Sequence, residues 1–180
     1  NVFSGRILEM EGLEDLPVTA AYELTNAAAE RSAAAAVMAL NEKSVAEFLK
    51  QNIETLAALV REGYGHRPTL ENRIRQMQAW LEDPQLLQAD PDAQYAADLE
   101  VDLAAVTEPL AACPNDPDDV RRLSEIAGTQ VHEVFIGSCM TDISQLENAG
   151  KILETAGGTA AVRLWITPPT RLAARHLRHQ

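Results

Sequence analysis

The chain has 180 residues, 46% of them apolar but only 4% aromatic, and carries a formal net charge of −12. That is enough chain to bury a core in one domain or two small ones, and alanine in place of aromatics favours close-packed helices over a β-sandwich. The acidic balance argues against nucleic-acid binding by the whole surface, because like charges repel phosphate, but leaves room for a local basic site for an anionic substrate.

Residues 2–10 read as a strand, with Gly5 either a bulge or a point of close approach. Glu11 to Leu16 form an acidic turn, and Pro17 is well placed to begin a helix. The alanine-rich stretch from Val18 to Leu40 reads as helix, with room for a break. On it Asn26 and Glu30 lie four apart, hence on one face, and Ala33 to Ala36 read as a tightly packed helix surface. Ser44 and Glu47 make a capping-box pattern for a helix whose apolar stripe is Val45, Phe48, Leu49, Ile53, Leu56, Leu59 and Val60. Gly63, Gly65 and Pro68 end it. Thr69 caps a further helix reaching about Leu81, striped by Leu70, Ile74, Met77 and Leu81. His66, in the loop between these two scaffold helices, reads as a surface residue.

Asp83 to Pro91 is polar with two prolines, as a linker is, and the domain boundary falls near residue 97. Leu99, Val101 and Leu103 then alternate with acidic residues like a half-buried strand. Thr107 to Asp119 is a proline- and aspartate-rich turn. Asn115, Asp116, Asp118 and Asp119 lack the spacing and closing glutamate of a calcium loop. Cys113, before Pro114, reads as a non-ligand.

Val131 to Asp142 organises the rest. The apolar run Val134, Phe135, Ile136 is halted by Gly137, and Cys139 follows. From Asp142 to about Ala156 the spacing is helical, with Ile143, Leu146, Ala149, Ile152 and Leu153 on one stripe. A second apolar run, Ala161 to Thr167, follows Gly157-Gly158, so 131–167 is a βαβ unit with two parallel strands. Cys139 then falls beyond a strand's carboxyl end, where open α/β sheets bind ligands, and close to a helix start whose amides and dipole favour a thiolate. At the end, Arg171, Arg175 and Arg178 with His176 and His179 form a basic patch suited to a helix C-terminus.

Two cysteines, Cys113 and Cys139, are too few for a disulfide framework and too far apart for a Cys-x-x-Cys pair. No apolar run approaches the roughly 20 residues that span a bilayer, and no cleavable signal begins the chain. Asn1 in place of methionine reads as a cut or processed start, and a cytoplasmic location is the default.

The letters around Cys139 add a resemblance. Ile-Gly-Ser-Cys-Met-Thr-Asp (136–142) resembles the Gly-Ser-Cys-Thr-Asn segment that carries the first cluster cysteine in the aconitase family of iron–sulfur hydro-lyases. Val-Phe-Ser-Gly-Arg-Ile-Leu-Glu (2–9), Glu-Leu-Thr-Asn-Ala-Ala-Ala-Glu-Arg-Ser-Ala-Ala (23–34), Glu-Gly-Tyr-Gly (62–65), Pro-Asn-Asp-Pro-Asp-Asp (114–119) and Thr-Pro-Pro-Thr-Arg (167–171) are similar to segments of a bacterial branch of that family. The similarity runs from about Val2 to Arg171; the tail 172–180 departs from it.

The resemblance implies a three-layer α/β fold represented by partial domains: 1–97 the later part of one domain, with the Asn26/Glu30 helix, and 98–180 the first half of the next, with Cys139. It implies a [4Fe-4S] cluster held by three thiolates so that one iron stays open, Cys139 being one of them. The other two lie in a Cys-x-x-Cys downstream of the Thr-Pro-Pro-Thr segment, which this chain does not contain. By the same resemblance Glu30, with Asn26 beside it, reaches toward the water or hydroxyl on the open iron. The reaction implied is citrate to isocitrate through cis-aconitate, in the tricarboxylic acid cycle. As an internal segment, the chain is expected to hold no stable cluster and to be inactive alone. The alternatives are a related hydro-lyase for 2-methylisocitrate or a longer homologue, an enzyme completed by a second chain, or a module contacting messenger RNA, since the bacterial branch without its cluster is associated with such binding.

Overall fold

A computed structural model describes residues 2–138 and 140–178. The chain separates into two compact units, Asn1–Gln94 and Tyr95–Gln180.

In the first unit, β1 (Ile7–Met10) leads through α1 (Val18–Ala27) and a 3-10 turn (Ala28–Arg31) to β2 (Ala35–Met38). The two strands are parallel, with Ile7 opposite Ala35 and Met10 opposite Met38. This corrects two readings. The first strand starts at Ile7, not residue 2, because the chain turns at Gly5, whose φ is +69°. The helix expected through Leu40 ends early, at Ser32 in a left-handed conformation (φ 58°). Beyond it Ala35 and Ala36 are strand, not packed helix. Alanine prefers helix, but here the ladder decides: Ala34 N–H donates to the Arg6 carbonyl at 2.9 Å and Ala39 N–H to Met10 at 3.0 Å.

α2 (Glu42–Arg61) is capped by Asn41, whose side chain accepts from Ser44 N–H at 2.8 Å, so the helix starts ahead of the expected Ser44 cap. α3 (Arg67–Glu82) likewise starts before Thr69, with Pro68 in its first turn beginning the helix rather than ending the previous one. The two pack on each other, the residues of both expected stripes are half-buried, and Phe48 of α2 meets Tyr22 of α1 edge-on at 6.1 Å.

In the second unit, the strand expected over Leu99–Leu103 does not form. Leu99 and Val101 lie in irregular chain, 60% and 71% exposed, and Leu103–Ala105 is a 3-10 turn started by the Asp102 side chain. Alternation alone does not make a strand without a neighbour to pair with. The proline-rich turn is the tip of a hairpin, β3 (Leu110–Ala112) against β4 (Val120–Arg122), antiparallel. Asn115 takes φ +66° there, and the Asp116 carboxylate accepts from Asp118 N–H at 2.9 Å. A one-turn helix, α4 (Leu123–Ile126), follows.

The βαβ unit forms as expected: β5 (Glu133–Ile136), α5 (Ile143–Ala156), then β6 (Arg163–Ile166) parallel to β5, with Phe135 opposite Trp165. The fold class is α/β. α6 (Arg171–Leu177) closes the described chain. Among the described residues the buried apolar side chains are Ala21 and Ala28 in the first unit and Leu146 and Ala173 in the second. No helix among those residues is long and apolar enough to cross a membrane.

Candidate active site

The carboxyl ends of β5 and β6 are the best-built place in the second unit. Thr167 N–H donates to the Ile136 carbonyl at 2.9 Å, extending the ladder one residue past β6. At Gly137 the chain leaves β5 with φ +155°, and a Cβ there would stand 2.8 Å from the Thr167 carbonyl oxygen. Only a residue without a side chain permits that approach. The turn that follows is held from within. The Ser138 and Thr141 hydroxyls are 2.9 Å apart, and Met140 N–H donates to the Ser138 hydroxyl at 3.3 Å.

Asp142 then caps α5. Its carboxylate accepts from Gln145 N–H at 3.0 Å, and the Gln145 side chain accepts from Asp142 N–H at 3.0 Å, a reciprocal capping box. The Ser144 hydroxyl donates to the same carboxylate at 2.6 Å. The helix starts at Ile143, four residues beyond Cys139, and Asp142 already engages one of the helix's first amides. Cys139 itself lies outside the described residues; the residues on either side of it belong to this strand-end turn. The Asp-x-x-Gln pattern at 142–145 was the sequence signal for this cap.

Thr170, at the start of α6, accepts from Ala173 N–H at 3.0 Å. Arg171, Ala174, Arg175 and Arg178 line a shallow groove along α6, and His176 reaches Glu147 of α5 at 2.9 Å. The expected basic patch spans α6 instead of gathering at its C-terminus: Arg171 opens the helix, while Arg175 and His176 lie in its last turn, His176 turned to a carboxylate; His179 lies outside the described residues.

Asn26 and Glu30 belong to the first unit. Asn26 is in the last turn of α1 and Glu30 in the 3-10 turn after it, so they are not carried on one continuous α-helix as expected. Both are exposed, and neither side chain makes a hydrogen bond or ion pair among the described residues. Each is thus unengaged within its own unit. His66 is exposed, as expected, with its ring nitrogen 3.0 Å from the Thr69 hydroxyl.

Cys113 sits in the β3–β4 hairpin, its N–H donating to the Asp119 carbonyl at 2.8 Å. Partial burial, and then the negative charge of Asp119, push its thiol up, away from the thiolate that a metal ligand needs. Arg121 beside Asp119 holds that carboxyl below its usual range. Among the described residues no three His, Cys, Asp or Glu side chains gather as metal ligands would.

No family model matches the chain. Over 98% of its length it is 54% identical to aconitate hydratase B of Salmonella typhimurium and 53% identical to that of Escherichia coli, covering 20% of each. More distantly, 3-isopropylmalate dehydratase large subunit 1 of Thermotoga maritima is 34% identical over 92% of the chain and 34% of its own length. These similarities place the chain in the aconitase family. Within that class, the chain belongs to the aconitate hydratase B family. It spans about a fifth of the length of those curated relatives.

Proposed function

We propose that this chain works as part of an aconitate hydratase, interconverting citrate and isocitrate through cis-aconitate, in the cytoplasm and within the tricarboxylic acid cycle. The observation that carries this reading is the 53–54% identity to aconitate hydratase B across nearly the whole chain. In it, residues 1–97 are the later part of one three-layer aconitase domain and 98–180 the first half of the next. Exposed Phe135 and Trp165 on a two-stranded parallel sheet accord with a segment of a larger α/β protein, since parallel sheets are ordinarily covered on both faces.

Cys139 is the thiolate this segment offers to a [4Fe-4S] cluster. The residues present do not suit a whole cluster: the chain has two cysteines, fewer than the thiolates a cluster takes, and burial pushes the Cys113 thiol up. This chain's own contribution is to present Cys139 from the turn between Gly137 and Asp142, and to offer Glu30 as a carboxylate that moves a proton at the substrate hydroxyl, with Asn26 orienting it. Both side chains are exposed, which leaves them open to solvent.

The 34% identity to an isopropylmalate dehydratase subunit supports a second, wider reading, a hydro-lyase of the same family acting on a different acid; 2-methylisocitrate as that acid rests on the resemblance alone. Messenger RNA as a partner rests on the resemblance alone. The test is a polypeptide of the relatives' length containing this segment, assayed for iron, sulfide and hydration of cis-aconitate against 2-methyl-cis-aconitate. Cys139→Ser is expected to lose iron and activity while retaining the circular dichroism of the parent. Full iron content in that variant would refute the assignment, and a preference for the methylated acid would select the second reading.

A further inference from the structure

We draw no further inference here: the strongest candidate, the exposed face of the β5–β6 sheet on which Phe135 and Trp165 lie side by side, carries nothing because nothing in the structure shows what covers it.

Discussion

A Cβ placed on Gly137 would stand 2.8 Å from the carbonyl oxygen of Thr167 and 3.1 Å from its Cβ. The close approach of the two strand ends thus depends on one missing methyl group. Gly137→Ala meets both that contact and a φ of +155°, so it is expected to destabilise the second unit by about 1–3 kcal/mol. Gly150, inside α5 with nothing within 4 Å of an added Cβ, is the opposite case. Gly150→Ala is expected to stabilise by about 0.5–1 kcal/mol, from helix propensity alone. Urea unfolding followed at Trp165 checks both signs, and equal effects from the two substitutions would overturn the steric argument.

Glu108 ties the chain leading into β3 to α4. Its carboxylate accepts from both the backbone N–H and the hydroxyl of Ser124, each at 2.8 Å. Those two hydrogen bonds, the backbone one first, hold the carboxyl below its usual range. A depressed carboxyl binds fewer protons when docked than when released. Its contribution is therefore present above the ordinary glutamate range and lost as pH falls through the lowered value. Amide exchange at Ser124 is expected to quicken relative to its intrinsic rate below that value. Glu108→Gln should remove the pH dependence. An unchanged pH dependence in that variant would show the link to be idle.

Cys113 makes a separate, signed prediction. Burial raises its thiol first, and Asp119 adds to this. Asp119→Asn removes the charge but not the burial, so alkylation of Cys113 at pH 8 should speed up while remaining slower than that of a free cysteine peptide. Mass-spectrometric peptide mapping separates Cys113 from Cys139. No change on Asp119→Asn would mean that burial alone sets the thiol.

Where the sequence pattern named the right element, the physics was local. The run Val134–Ile136, the glycine after it, the stripe from Ile143 and the second run at Leu164–Ile166 each carry their own period, and β5, α5 and β6 formed there. The misreadings lie where a distant partner decided. Ala35 and Ala36 became strand because β1 offered a parallel ladder, and Leu99 to Leu103 stayed irregular because no strand paired with them. The hairpin β3–β4 escaped notice because its two strands have three residues each and no hydrophobic period. At the candidate site the turn glycine and the Asp142 cap were readable from residues 137–145. The closeness of Thr167 to Gly137 was not, since it needs the two strand ends brought together.

Glu30 supplies the functional prediction. The proposed reading gives Glu30 the substrate; it is exposed, with no side-chain partner among the described residues. In a polypeptide of the relatives' length, Glu30→Gln keeps the shape and removes the oxygen that the proposed reading assigns to proton transfer. Activity is then expected to fall by about 10²–10⁴ in kcat with KM little changed, the size of a lost general acid or base. Asn26→Ala, which removes an orienting group only, should cost less. Iron content must stay at the parent level in both, which separates this role from that of Cys139. A Glu30→Gln protein with parental kcat would exclude Glu30 from the chemistry, and one that lost iron would make its role structural.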